Sequence, residues 1–296
     1  MSLRLAVATE DLHPQLKKAI GHATQLEVDG VRLNTRSELD VQHVSDSALR
    51  QTLQYVRERQ MHVAGLYCPT RHTLYDPEFL EPRLDVIRRS MNVCRKLQTS
   101  ELLVRCGRIP DPSQSVADSN QSTVSIDEQA NPFSFTSSQS SPEPTEAQQF
   151  SLLTELLNDL AAHANHVGCS LNLIVSAFSA ERIRKLLAKV KTGPVRITFD
   201  PATALMTGSK PVSVYRDLYQ QIGYVRARDA LKDVDGAGVE VAVGDGTVDW
   251  LQMIPTLVEA EYTGWVCVER TGGDHRREDV DQGVSKLKKL IPESGD

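Results

Sequence analysis

Short apolar runs alternate with longer stretches whose apolar residues recur every three or four positions, almost from end to end of the chain. The short runs are Leu3–Ala8, Gly30–Asn34, His62–Tyr67, Glu101–Cys106, Ser170–Val175, Val195–Phe199, Tyr224–Ala227 and Trp265–Val268. Most are apolar at successive positions, as in strands covered on both faces. The longer periodicity predicts helices over 13–25, 46–60, 77–98, 148–166, 179–191, 211–221, 249–261 and 276–291. In the third, Leu80, Leu84, Ile87, Met91 and Cys94 make one apolar stripe and leave Arg83, Arg88, Arg89 and Arg95 for solvent.

Strand followed by helix, eight times, predicts parallel strands joined by right-handed crossovers. An open doubly wound sheet is the competing architecture, and it usually carries a glycine-rich phosphate loop after its first strand. Here that turn is Ala8-Thr9-Glu10-Asp11-Leu12-His13-Pro14, without glycine. The expected fold is therefore α/β: a (β/α)8 barrel, read as one domain over residues 1–296, since such barrels run to about 250 residues. Residues 111–147 break the rhythm with a tract rich in Ser, Gln, Pro and acidic residues. The tract follows the fourth strand and reads as a disordered or lid-like insertion. A tolerated surface insertion is the simpler reading, and Phe133 and Phe135 are the residues that would dock it as a lid.

Composition adds exclusions. A net charge of −6 over 296 residues gives no general attraction for phosphate backbones, so nucleic acid is not an expected partner. No apolar stretch is long enough to cross a bilayer. The first residues run straight into a strand pattern with no signal-peptide features. The five cysteines (Cys68, Cys94, Cys106, Cys169 and Cys267) are scattered through apolar runs, as reduced core thiols are. These features place the chain in the cytoplasm as an expectation. Cys68 and Cys106 close strands and keep a small claim to function.

A barrel gathers its chemistry where strands end. Those ends bring Glu10 and Asp11, Asn34 and Arg36, Cys68, Arg105 and Arg108, Ser176, Asp200, Arg226 with Arg228 and Asp229, and Glu269 with Arg270. Charged groups are costly to bury unless paired or ligated. Any single one is as readily a structural pair as a functional group.

Four segments are more specific: Phe199-Asp200-Pro201-Ala202-Thr203, Tyr224-Val225-Arg226-Ala227-Arg228-Asp229-Ala230, Gly244-Asp245-Gly246-Thr247-Val248-Asp249-Trp250, and Gly264-Trp265-Val266-Cys267-Val268-Glu269. In this order they resemble the xylose isomerase-like barrels, the sugar-phosphate isomerase/epimerase group. That group reads "FDPxN", "HxKDA", "GxGxxDW" and "GxxxxE". The likeness is strong over residues 165–290 and weaker before them.

The resemblance implies a divalent metal (Mn, Mg, Co or Zn) held by Glu, Asp, His and Glu from strands five to eight. Two glutamates would move a proton at the carbon beside a sugar carbonyl. Asp200 and Glu269 match two ligands, with Glu269 as the implied catalytic carboxylate. The His position is Arg226, and Ile174 stands where the fifth-strand Glu is expected. Asn172 or Ser176 would replace it only if the register shifts by two. Arginine stays protonated and has no lone pair to donate. The expectation is therefore an arginine–carboxylate site: Asp200, Arg226, Arg228, Arg105 and Glu10 binding a small sugar or sugar-like molecule, with no firm cofactor and at most a weakly held divalent cation on Asp200 and Glu269. An epimerase-like enzyme and a catalytically silent barrel binding a small anion or polyol both remain open, and the resemblance implies a possible homo-oligomer.

Other candidates rank lower. His163 and His166 read as an exposed helix face, and His13, His22, His43, His62 and His72 lack a third ligand. His275 lies near the expected rim. Gly244-Asp245-Gly246 could receive an anion at a helix N-terminus, against which Asp245 argues.

Overall fold

The eight predicted strands close into one parallel barrel. The computed structural model describes residues 3–113, 144–232 and 238–292. The barrel strands are β1 (Arg4–Ala8), β2 (Gly30–Asn34), β3 (His62–Cys68), β4 (Glu101–Gly107), β5 (Ser170–Val175), β6 (Val195–Phe199), β7 (Ile222–Ala227) and β10 (Trp265–Val268). They pair in sequence order, and β10 returns to β1 with Val7 opposite Val268. This is a (β/α)8 TIM barrel. Its outer helices are α2 (Leu16–Gln25), α3 (Asp46–Arg57), α4 (Leu80–Lys96), α5 (Glu146–Val167), α6 (Ala180–Lys189), α8 (Pro211–Leu218), α9 (Trp250–Glu259) and α10 (Arg276–Leu290).

Local signals set the helix ends. Ser45, Thr145 and Ser179 each accept a backbone N–H of the first turn of α3, α5 and α6, and Thr145 with Gln148 completes a capping box. Gly168 closes α5 in the left-handed region. The outward strand residues and the inner helix stripes share one large core, including Leu33, Leu66, Ile87, Met91, Leu102 and Phe199.

A smaller cluster fills the lumen. Ala6, Ala8 and Ala64 on one side meet Leu103, Tyr224, Trp265 and Cys267 on the other, with Tyr67 and Ile174 packed above. Small residues on β1 and β3 leave room for the large rings of β7 and β10. Gly30 belongs to the same fit, because a Cβ there would lie 3.0 Å from the Trp265 ring. Below this layer Asn172 Nδ2 donates to Glu101 (2.6 Å), so Asn172 sits deep in the barrel and not at its mouth.

Several expectations shift. Two short helices, α1 (Thr9–Leu12) and α7 (Pro201–Met206), follow β1 and β6, and an antiparallel hairpin, β8 (Asp229–Lys232) with β9 (Gly238–Val241), follows β7. The periodicity predicts none of them. Arg83 is buried, not free in solvent, since its Nη2 holds the carbonyl oxygens of Asp76 and Glu78. His166 is exposed, but His163 is half-buried. Both ends of the 111–147 tract lie among the described residues. Glu146 starts α5 and accepts the Asp111 N–H, while Arg182 pairs with Asp111 at 2.9 Å. Residues 114–143, with Phe133 and Phe135, lie outside the described residues. No described helix is long and apolar enough to cross a membrane.

Candidate functional site

At the C-terminal mouth of the lumen the strand ends assemble a chain of arginines and carboxylates. Glu269, 2 % exposed, follows β10 and stands between two guanidiniums. Arg226 of β7 donates from Nε to Glu269 Oε2 at 2.7 Å, and Arg32 of β2 brings Nε to 3.0 Å from Oε1. The second contact is charge against charge, for its angle does not make a hydrogen bond. Arg32 also donates to Glu10 at 3.0 Å, and Asn34 donates to the other Glu10 oxygen. Across the mouth, Arg228 donates to Asp200 at 2.6 Å and to Glu240 at 3.0 Å. Arg226 Nη1 lies 3.6 Å from Asp200, which joins the two halves.

The local backbone explains these positions. Asp200 is the N-cap of α7, accepting Thr203 N–H with Oδ1 and leaving Oδ2 for Arg228. Arg32 and Asn34 share a strand face, as do Leu103 and Arg105. Leu103 is in the lumen, so Arg105 projects toward the mouth. It is exposed and has no ion-pair partner among the described residues. Tyr67 lies beneath Arg32 and Arg226, at 5.0 and 5.9 Å from their guanidinium carbons.

Burial alone would push Asp200 up, yet the Arg228 and Arg226 charges hold its carboxyl below the usual range. Glu10 is likewise held low against desolvation, mainly by Arg32. Asp11 goes the other way. Burial dominates and pushes it up to about 7, aided by the negative Glu269 and Glu10. Its partners are the Arg270 N–H (2.9 Å) and an Arg276 guanidinium at 3.1 Å, which is 38 % exposed and therefore screened.

A folded-state value of about 7 against 3.8 makes native Asp11 the better proton binder between those limits. Its contribution to stability should therefore fall as pH rises from about 4 to 7, by up to about 4 kcal/mol. In urea titrations, Asp11→Asn should gain on the wild type progressively over that interval and level off above it. A difference independent of pH would refute this.

Other motif residues, Asp229, Gly244, Gly246 and Trp250, build the scaffold. Buried Asp229 accepts four donors: Ala230 N–H (2.8 Å) and Val248 N–H (3.1 Å) on Oδ1, Gly244 N–H (2.8 Å) and the Trp250 indole N–H (2.9 Å) on Oδ2. A Cβ on Gly246 would fall 2.1 Å from Asp229 Oδ1. This carboxylate thus ties the start of β8 to the turn before α9. The same bonds occupy Gly244-Asp245-Gly246: its first N–H serves Asp229, and Asp245 pairs with Lys286 at 2.5 Å, so it is no anion site.

Of the sequence candidates, Glu10, Asp200, Arg226, Arg228 and Glu269 meet in one network, and Arg105 stands apart on β4. Cys68 and Cys106 are fully buried; burial pushes both thiols up, Cys106 to about 12, which removes them as nucleophiles. Ser176 is exposed beyond β5, and His275 is exposed at the start of α10. Sequence reasoning misses Arg32, Tyr67 and Glu240. A charge inside the otherwise apolar run Gly30–Asn34 is the available signal for Arg32. His72, which the sequence leaves without partners, has its Nδ1 2.9 Å from Asp76 and 3.9 Å from Glu78, away from the network.

The chain matches the xylose isomerase-like TIM barrel family over residues 20–290. It belongs to that family. An inosose dehydratase from Geobacillus kaustophilus is 28% identical over 105 residues, 31% of this chain and 34% of that protein. The alignment thus spans about a third of the curated relative's length. Among solved structures, a xylose isomerase domain protein from Planctomyces limnophilus superposes with a TM-score of 0.74 at 18% identity, covering 98% of this chain and 96% of its own. A D-allulose 3-epimerase from Methylomonas sp. in complex with D-allulose gives a TM-score of 0.68 at 13% identity, covering 98% and 97%. At these identities the superpositions speak for the fold.

Proposed function

We propose that the chain binds a small sugar or sugar-like polyol at the barrel mouth, with the arginine–carboxylate network standing where the family holds a divalent metal. One observation carries this reading: the Arg226 guanidinium lies between the two retained carboxylates, 2.7 Å from Glu269 and 3.6 Å from Asp200. A guanidinium cannot ligate a cation and repels one. Arg228 holds the same Asp200 oxygen, and Arg32 lies against the other oxygen of Glu269. The residues present therefore do not fit the metal.

Fixed guanidiniums and carboxylates alternating along a wall suit a ligand rich in hydroxyls, which donates to the acids and accepts from the arginines. Relatives that act on sugars, or hold one as the D-allulose 3-epimerase does, support this class. Ile174 removes the second proton-transfer carboxylate, and Glu269, the expected catalytic acid–base group, has both oxygens against guanidiniums. This favours binding over the isomerase/epimerase chemistry that the family implies.

Metal analysis with calorimetry tests it. Purified protein should carry no stoichiometric divalent ion, and ketose or inosose binding should be unaffected by EDTA. A bound Mn²⁺ or Zn²⁺ that Asp200→Asn or Glu269→Gln abolishes would overturn the proposal.

A further inference from the structure

The loop between β3 and α4 gathers side chains that the mouth network does not use. His72, Asp76 and Glu78 each offer one ligand atom, all within 4.8 Å of one another, and no other three His, Cys, Asp or Glu side chains meet in this way among the described residues. His72 Nδ1 lies 2.9 Å from Asp76 Oδ2 and 3.9 Å from Glu78 Oε2. Donors held tetrahedrally by zinc at about 2.0–2.1 Å stand about 3.3 Å apart. The two separations bracket that spacing, so small side-chain rotations would seat an ion.

The backbone that carries these groups is fixed from beneath. Buried Arg83 holds the Asp76 and Glu78 carbonyl oxygens with Nη2, and Thr70 Oγ1 donates to the His72 carbonyl at 3.2 Å. Leu74 N–H bonds the Cys106 carbonyl at 3.2 Å and the Tyr75 hydroxyl bonds the Arg108 carbonyl at 2.9 Å, which tie the loop to β4 and the loop after it. The three ligand positions are thus set before any ion arrives. The charges are also left available. Arg71 adjoins His72 in the chain and Arg83 lies under the loop, yet among the described residues His72 is the one cationic partner of the Asp76 and Glu78 carboxylates. At the mouth, by contrast, Glu10, Asp200, Glu240 and Glu269 each face an arginine. The Glu78 N–H and then His72 hold the Asp76 carboxyl below its usual range, so it stands ready as an anionic ligand.

We infer that His72, Asp76 and Glu78 bind one zinc ion, at a site separate from the barrel mouth. One imidazole with two carboxylates suits this cation, whereas Mg²⁺ prefers an all-oxygen shell and keeps its waters. The ion takes the place of the proton that His72 Nδ1 and Asp76 share. Side-chain exposures of 32 % for His72 and Asp76 and 62 % for Glu78 leave the remaining coordination positions to water. Three ligands open to solvent, with Arg71 and Arg83 opposing the charge, make the ion exchangeable. Its affinity is on the order of micromolar, below that of closed four-ligand sites, and dialysis against a chelator removes it.

Calorimetry of Zn²⁺ with the full chain, after such dialysis, should give one equivalent bound at a dissociation constant on the order of micromolar. His72→Ala should weaken it by at least about tenfold. Asp76→Asn with Glu78→Gln should do the same and spare the loop, because the Asn oxygen still accepts the Glu78 N–H. Asp200→Asn, with circular dichroism unchanged, should leave Zn²⁺ binding as it is, which separates this site from the mouth. Millimolar Mg²⁺ should not displace the ion. No saturation below millimolar Zn²⁺, full binding in His72→Ala, loss of binding in folded Asp200→Asn, or displacement by Mg²⁺ would each overturn the inference. Metal titrations of the mouth are then made on the His72→Ala background, where this site is removed.

Discussion

Glu269→Leu is expected to destabilise the chain by about 3–5 kcal/mol, the usual cost of removing one partner from a buried ionic group. The Glu269 side chain is fully buried and faces Arg226 at 2.7 Å and Arg32 at 3.0 Å. Its loss leaves Arg32 with Glu10 alone and Arg226 with Asp200 at 3.6 Å. Two guanidiniums with side-chain exposures of 3 % and 9 % would then face each other across an apolar residue. For a domain of this size the loss corresponds to a fall in Tm of about 10 °C. Glu269→Gln, which keeps the shape and one acceptor, should cost less. The informative comparison is the triple variant Arg32→Met, Arg226→Met and Glu269→Leu. Apolar replacement of a whole buried ionic group is often neutral, so the triple variant should recover most of the stability. Urea denaturation of the three variants checks this, and a Glu269→Leu protein as stable as the wild type would show that the network does not form.

The barrel was legible because its signals are local. Each apolar run became a strand, since period and length separate a strand covered on both faces from an amphipathic helix. The missed pieces depend on tertiary contacts. Asp229–Lys232 and Gly238–Val241 are four residues each, with no strong alternation, and their pairing brings Glu240 to Arg228. Reading only the strand ends found Asp200, Arg226 and Glu269 but passed over Arg32, which lies inside β2 and reaches the mouth through its long side chain. Asp229 stands in the sequence among the charged residues at strand ends. Its role emerges only from four converging donors, three of them 15 to 21 residues further along the chain. The likeness between chemical and structural carboxylates in sequence is a real ambiguity: both are acids at strand ends, and only their partners differ.

The second large effect is a gain of function. Arg226→His with Ile174→Glu would restore the ligand types that the family resemblance implies, beside Asp200 and Glu269. Ile174 packs on the lumen side above Leu103 and Tyr224 and is half-buried, so a carboxylate there would face the mouth. Removing Arg226 alone does not free both acids, because Arg228 stays 2.6 Å from Asp200 and Arg32 stays 3.0 Å from Glu269. The double variant should therefore bind Co²⁺ at least about tenfold more tightly than the wild type, a difference of about 1.4 kcal/mol. Adding Arg228→Ala should tighten it again by releasing Asp200. Without metal, the carboxylate introduced at position 174 has only Arg105, its exposed register neighbour on β4, for a counter-charge. Asp200 and Glu269 meanwhile lose Arg226, so the double variant should be less stable than the wild type. Co²⁺ at about one hundred times its dissociation constant should return about 2.7 kcal/mol. Calorimetry, cobalt absorption and a Co²⁺-dependent rise in Tm confined to the variants read the same event in three ways. If neither variant gains metal, Asp200, Glu269 and position 174 do not converge, and the assignment of Ile174 to the missing ligand position fails with them.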